Sequence, residues 1–477
     1  MKNETLILLT VFVPVLGSLL LPFIGKISET SRNLFALMFV LCSLVCSFLL
    51  LPTVMRGETV SALYIQSMNM HYFYADGLAV FMAIVSSLVG AIIVIYSFGY
   101  INHYEHRNEY YLMVVLFLGS MMGIVYSRNL ISIYLFWEIT AIACWRLIGF
   151  FREKEYVLRA DKAFLITVFG ALMMLIGFLN IYGTAGSFDL GVIAQSKVSN
   201  LAVALIMFGI LSKSATLPLH TWLPDAGVAP SPVTALLHAA VLVKIGVYVF
   251  ARLFVATIHL DEMWHTIIPI IAGVSALVSA GAALIDNDIK RIIAYSTISQ
   301  IGFIFLGLSI GNEIGVAGGL LYILMHGLSK AALFLSAGII EQGTHTKDIR
   351  KMGGLIKTMP VTAISFLICA FSVMGIPPLG GFFAKYLVIN GAFKSGHTII
   401  SFVFLFGAVL TVIYLFRLFV IIFMGQPKQE HTQREGSFIM VACVATLALL
   451  SILGGIFINY PAGVVMTTVQ QIMGVIK

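Results

Sequence analysis

Acidic residues are scarce in this chain, 21 Asp and Glu among 477 positions, and the four charged types together make up only 10% of it. Soluble domains draw about 25% of their residues from those four types, so an ordinary water-facing surface is excluded. Cysteine is also sparse: Cys42, Cys46, Cys144, Cys369 and Cys443 all fall inside apolar stretches, and no Cys-x-x-Cys pair occurs. Neither a zinc site nor an iron–sulfur framework is supported, and no His-x-x-x-His or carboxylate–histidine spacing argues for a metal. There is no nucleophile triad, phosphate loop or cofactor fingerprint, so no catalytic centre or bound cofactor is expected in the chain itself. No polar run is long enough for a soluble domain, which leaves residues 1–477 as one membrane domain.

What is present is apolar length. The chain is 60% hydrophobic with a mean hydropathy of +1.02, and a helix needs about 20 apolar residues to cross a bilayer. Fourteen stretches qualify, roughly 5–25, 33–52, 77–101, 110–126, 129–150, 160–184, 200–226, 231–256, 264–285, 289–309, 313–341, 361–391, 397–424 and 437–460. They are numbered helices 1 to 14, and the expected fold is an all-α polytopic membrane protein. The first stretch is too long for a signal-peptide core and lacks a small-residue cleavage pattern, so it reads as a retained helix.

The net charge of +7 does not indicate nucleic acid, because the cations sort by topology. With fourteen helices both termini share a face. Loops on that face carry Lys2, Arg56, Arg128, Lys197, Arg252, Lys394 and Lys477. The opposite loops carry Lys26, Arg32, Arg107, Arg152, Lys154, Arg159, Lys162, Lys290, Arg291, Lys347, Arg350, Lys351, Lys357, Lys428 and Arg434. A balance of 7 against 15 places both termini outside and the 150s and 350s loops inside the cell.

The remaining six cations, Arg146, Lys213, Lys244, Lys330, Lys385 and Arg417, lie within the apolar stretches, and Glu138 is the one acid expected at their depth. Each buried cation costs roughly 2.5–3.5 kcal/mol on insertion scales, so such residues are functional candidates by default. Burial disfavours a lysine's charge and a nearby carboxylate restores it, so a lysine with a variable partner can hold or release a proton. Glu138 lies about nine residues into helix 5 and Lys213 about thirteen into helix 7, compatible depths for a pair at 1.5 Å per residue. His238 and His326 can pass a proton between ring nitrogens, although a core histidine can equally be a packing residue. Arg146 lies within snorkelling reach of the inner interface, and Arg417 is also near that end, so both read as supporting residues.

Two segments are punctuated. Helix 7 contains Lys213-Ser-Ala-Thr-Leu-Pro218-Leu-His220-Thr-Trp-Leu-Pro224-Asp, and helix 12 contains Gly375-Ile-Pro377-Pro378-Leu-Gly380-Gly381. Proline frees backbone polar groups, which at membrane depth is tolerated only beside protein or a water-lined cavity. Paired breaks in the two halves of a chain point to an inverted repeat with a site at each break. An odd offset of five helices supplies the inversion. His220, beside the first break, is expected to satisfy loose backbone there.

These residues resemble the antiporter-like subunits shared by respiratory complex I, energy-converting membrane-bound hydrogenases and Mrp-type cation/proton antiporters. The stretches that carry the likeness are Phe136-Trp-Glu138-Ile-Thr, Lys213 to Ala226, Ser231 to Lys244, Asp288 to Gly302, His326-Gly-Leu-Ser-Lys330, Met352-Gly-Gly-Leu and Gly375 to Lys385. The resemblance implies two inverted five-helix repeats, helices 4–8 (110–256) and helices 9–13 (264–424), after helices 1–3 (1–109) and before helix 14 (437–460). It also implies a proton relay through Glu138, Lys213, Lys244, Lys330 and Lys385, with His238 and His326 along the same axis. Two departures stand out: Ala171 occupies a position where the family often has Asp, and Tyr322 one where many members have a second histidine. The short frame looks most like the Mrp D-type subunit. The implied setting is a prokaryotic plasma membrane, with sister antiporter-like subunits, lipid and peripheral redox subunits as partners. The implied function is proton translocation in a redox-driven pump; a subunit of a Na⁺/H⁺ antiporter is the alternative, which the motifs do not separate.

Overall fold

A computed structural model describes residues 2–65, 70–427 and 435–474. Lys428, Arg434 and Lys477, three of the loop cations, lie outside the described residues. The architecture is nearly all helical. Among the described residues twelve helices are long and apolar enough to cross a membrane. They match helices 1 to 6, 8 to 11, 13 and 14, while the stretches expected as helices 7 and 12 are divided.

Local chemistry sets most of the starts. Helix 2 (Glu29–Met55) is capped by Ser28, helix 3 (Gly77–Tyr100) by Asp76, and helix 5 (Leu130–Ile148) by Asn129. Helix 10 (Ile289–Ser309) is capped by Asp288 and helix 11 (Glu313–Thr344) by Asn312. In each case a short side chain accepts the orphan N–H groups of the first turn. Two elements went unanticipated. A hairpin, β1 (Val60–Ile65) with β2 (Met70–Ala75), joins helices 2 and 3 in antiparallel register, Val60 opposite Ala75. A further helix, Asn459–Ile472, follows helix 14 (Phe438–Ile456) and reaches back through Gln471, whose Oε1 accepts from the Gly77 N–H at 3.0 Å.

Helix 8 (Ser231–Val255), helix 10 and helix 11 are buried on almost every face and form the centre, with helix 3 alongside. Helix 1 (Asn3–Ile27), helix 2, helix 6 (Lys154–Ala185), helix 13 (Thr398–Phe423) and helix 14 expose large apolar side chains such as Phe23, Leu165, Phe402 and Phe438. Apolar residues on the outside and ionisable ones within suit a chain whose solvent is hydrocarbon.

The two divided segments differ in form. The first half of helix 7 is Asn200–Lys213; after it the chain turns through Pro218 and resumes only as the short helix Trp222–Asp225. Helix 12 has two full halves, Pro360–Met374 and Gly380–Lys394. Its break begins at Gly375, whose φ of +87° is the left-handed C-cap position glycine fills without strain. The halves pack closely enough that a Cβ on Gly381 would lie 1.9 Å from the Ser372 carbonyl oxygen. Helix 8 is a third irregular element, not foreseen: π-turns cover Leu236–Ala240 and Ala251–Val255, and Val241 leaves the helical region with φ −129° and ψ −70°. No proline or glycine marks that irregularity.

Three cations assigned to loops are corrected. Arg32, expected in an inner loop, lies within helix 2 and is 1% exposed, its guanidinium donating to Asn33 and Asn108. Arg252, expected in an outer loop, lies within helix 8 and is 1% exposed; Lys290, expected in an inner loop, is the second residue of helix 10 and is also 1% exposed. Arg252 and Lys290 are tolerated because a carboxylate and other acceptors face each of them.

Candidate functional site

The irregular helices place the lysines. Lys213 is the last residue of the first half of helix 7 and is wholly buried. Its ammonium donates to the Trp137 carbonyl at 3.2 Å and sits 5.2 Å from the centre of that indole ring. Glu138, which follows Trp137 in the chain, is only partly buried, and its Oε1 is buried without a hydrogen-bond partner. The expected direct Glu138–Lys213 contact is absent among the described ion pairs. The carbonyl of Trp137, the residue before Glu138, holds the amine instead.

Lys244 follows the Val241 irregularity, fully buried, with Nζ 2.8 Å from His326 Nδ1. Lys330, also fully buried, donates to the Ser296 hydroxyl at 2.5 Å and to the Ile293 carbonyl at 3.2 Å. Lys385 lies in the second half of helix 12, 4% exposed, and donates at 2.7 Å to Val373, a carbonyl left free by the break. It also sits 4.5 Å from the Phe303 ring centre and 5.7 Å from that of Tyr322. Each amine is thus held by neutral acceptors and ring faces rather than by a carboxylate. Such an environment stabilises the ammonium weakly, the property a reversible proton carrier needs.

A side-chain network joins the last two lysines. Ser296 Oγ lies 2.8 Å from the Tyr414 hydroxyl, Gln300 Nε2 donates to Tyr414 at 3.2 Å, and Tyr322 donates to Gln300 Oε1 at 2.7 Å. Tyr322 therefore connects the Lys330 neighbourhood to the ring face under Lys385. His326 is wholly buried with Nε2 unpartnered, and His238 is wholly buried with both nitrogens unpartnered, its ring 4.3 Å from Phe334. Buried polar atoms of this kind are normally satisfied by water.

Arg146, Arg417 and His220 lie apart from the four lysines. Arg146 hydrogen-bonds the Glu109 carboxylate at a helix end, half-exposed, together with Arg152. Arg417 donates to the Asp286 carbonyl and to Asn287 Oδ1, both at 3.2 Å, fastening the corner between helices 9 (Trp264–Ile285) and 10. His220 lies beside the break, 3.4 Å from the Pro218 carbonyl. The five cysteines are free thiols, four buried and Cys42 partly so.

Two buried ion pairs escaped the sequence. Arg252 donates to both oxygens of Asp76, at 2.6 and 2.8 Å, and to Tyr248 at 2.9 Å, so Glu138 is not the only acid beside a buried cation. Lys290 pairs with Glu341 at 2.6 Å and donates to the Ala229 carbonyl at 3.1 Å. The partners are 176 and 51 residues apart in sequence, a separation at which no spacing rule operates.

The family model described as NADH:quinone oxidoreductase/Mrp antiporter, TM, matches residues 127–411. A second, NADH-ubiquinone oxidoreductase (complex I) chain 5 N-terminus, matches residues 64–111. Na⁺/H⁺ antiporter subunit A1 of Staphylococcus haemolyticus is 31% identical over 95% of this chain and 61% of its own length, and its Staphylococcus aureus counterpart gives the same figures. The chain thus spans less than two thirds of these relatives. The fold matches a chain of the Mrp complex from Dietzia sp. DQ12-45-1b with a TM-score of 0.91 at 23% identity, covering 99% of this chain and 98% of that one. It also matches a chain of an archaeal membrane-bound sulfane sulfur reductase with a TM-score of 0.88 at 23% identity, covering 98% and 97%.

Proposed function

Because this chain belongs to the NADH:quinone oxidoreductase/Mrp antiporter membrane family, we propose that it is the proton-conducting, antiporter-like subunit of a multisubunit membrane complex. The observation that carries this reading is the set of four buried lysines held only by carbonyls, a hydroxyl, an imidazole and ring faces. A proton enters past Lys213, with Glu138 biasing its charge, and reaches the Lys244–His326 pair. It continues to Lys330 and leaves by way of Lys385 at the helix 12 break. Release from each amine is downhill when the next becomes the better-solvated acceptor.

The breaks in helices 7 and 12, five helices apart, support two inverted repeats over helices 4–8 and 9–13. With the buried Arg252 removed from the outer set and Arg32 and Lys290 from the inner set, the loop cations divide 6 (7−1) against 13 (15−2), a balance that supports termini outside a prokaryotic plasma membrane. Sister antiporter-like subunits and lipid cover the exposed apolar faces. The parent complex is a redox-driven pump, with peripheral redox subunits supplying the energy. A second reading, a subunit of a Na⁺/H⁺ antiporter, is favoured by the names of the curated relatives.

Purifying the native complex separates the two. Copurified iron–sulfur subunits support the pump, and small membrane subunits without redox centres support the antiporter. For the relay itself, Lys244→Met and Lys385→Met are each expected to abolish proton flux in membranes that retain the assembled complex. Wild-type flux in either would remove the relay.

A further inference from the structure

The Lys290–Glu341 pair is not used by the relay above, yet it stands at the end of a polar seam that leads into it. Helices 8 and 11 run antiparallel and pair residue by residue along the centre of the protein. Ser231 lies against Gly338, where an added Cβ would come within 2.5 Å of the Ser231 Cβ; His238 lies against Phe334 at 4.3 Å; and Lys244 meets His326 at 2.8 Å. Helix 8 therefore presents Ser231, His238 and Lys244 in sequence toward helix 11.

Glu341 marks the other end. Its Oε2 accepts from Lys290 at 2.6 Å and from Ser231 Oγ at 3.5 Å, and its Oε1 lies 3.7 Å from Lys347 Nζ. The carboxylate is partly exposed to a cavity of about 590 Å³ that His103, Tyr104, Gln342 and His345 also line. That cavity opens on the face that the cation count assigns to the cell interior. A water-facing carboxylate, an amine able to retain a second acceptor at Ala229, and a file of hydroxyl and imidazole groups toward Lys244 make a route of graded polarity. Its interior stations include the two unpartnered nitrogens of His238.

We infer that Glu341, held by Lys290, is a second proton-entry site that feeds the Lys244–His326 pair along the seam between helices 8 and 11 without passing Lys213. A proton taken from cavity water binds the Glu341 carboxylate, and the Lys290 ammonium keeps its bond to the Ala229 carbonyl. The proton passes on to one nitrogen of His238, which releases one from the other nitrogen toward Lys244, while Glu341 returns to carboxylate. Ser231 and His238 are two helical turns apart, about 10 Å, so water molecules carry the step between them. The inference rests on the relay reading and adds an entrance to it.

The test compares variants of the intact complex in everted membrane vesicles, reading proton flux beside the amount of assembled complex. Glu341→Gln is expected to lower flux at least fivefold, Glu341→Asp to retain at least half, and Lys213→Met to leave measurable flux that Glu341→Gln then removes. The pair Lys290→Met with Glu341→Met separates conduction from mere fastening, since it removes both charges together. Assembled complex with flux still at least fivefold down supports an entry site. Restored flux in that double variant, or wild-type flux in Glu341→Gln, overturns it. Lys385→Met runs in parallel: if it conducts normally the relay itself falls, whereas a dead Lys385→Met beside a normal Glu341→Gln rejects this entrance alone.

Discussion

Asp76→Asn isolates the energetic role of the most buried ion pair among the described residues. The wild-type carboxylate receives two hydrogen bonds from Arg252, at 2.6 and 2.8 Å, and caps helix 3 by accepting from the Ala79 N–H at 2.9 Å. Arg252 is 1% exposed, so water cannot replace the lost partner. Asparagine keeps an acceptor for the cap and removes the charge, leaving a buried guanidinium uncompensated, which costs about 3–5 kcal/mol. Asp76→Ala loses the cap as well, about 1 kcal/mol more. At 1.4 kcal/mol per decade the single change shifts the folded-to-unfolded ratio roughly a hundredfold or more. The double variant Asp76→Leu with Arg252→Met removes both charges and is expected to recover most of the loss. Unfolding of the purified complex in a denaturing-detergent titration reads all three. A single variant within about 1 kcal/mol of wild type, or a double variant no better than the single, refutes the reasoning, on the scale expected for a buried pair.

Further outcomes follow from the helix breaks and the supporting residues. Gly381→Val drives a side chain into the Ser372 carbonyl, 1.9 Å from the first added carbon, so the halves of helix 12 cannot close and assembled complex is expected to fall sharply on a native gel. Tyr322→Phe loses the 2.7 Å bond to Gln300 but keeps the ring beside Lys385; stability is expected to drop by about 0.5–1.5 kcal/mol and flux to slow without stopping. Arg146→Gln removes a bond to Glu109 at a half-exposed helix end, so flux in vesicles is expected to stay within about twofold of wild type, as surface pairs contribute little.

The fold was legible where composition changes abruptly along the chain. Apolar length located the spanning helices, and proline with glycine located the breaks in helices 7 and 12, because those residues alter backbone hydrogen bonding wherever they occur. Val241 was invisible, since neither proline nor glycine marks the point where its dihedrals leave the helical region. The helix Asn459–Ile472 was missed because a short amphipathic segment lacks the apolar length that identifies a span. At the site, lysine in an apolar run is a signal readable at a single position. The neutral groups that hold each amine come from other helices and carry no such signal, nor do Asp76 and Glu341. Arg252 and Lys290 sit at segment ends, where sequence cannot distinguish a topogenic surface cation from a buried one. The Glu138–Lys213 expectation rested on matched depth along the membrane normal, and depth fixes only one coordinate of three. The Trp137 carbonyl takes the lysine instead.

Lys385 is the last of the four lysines on the proposed route and the one held at the helix 12 break, so on that proposal every entrance converges on it. The most direct measurement is proton flux, normalised to assembled complex, in membrane vesicles carrying Lys385→Met and, separately, Lys385→Arg. The account predicts that methionine reduces flux to the background of vesicles lacking the complex. Arginine, which retains the charge but does not release its proton, is expected to be equally inactive. Flux near the wild-type level in either variant, with the complex intact, contradicts a relay through this residue.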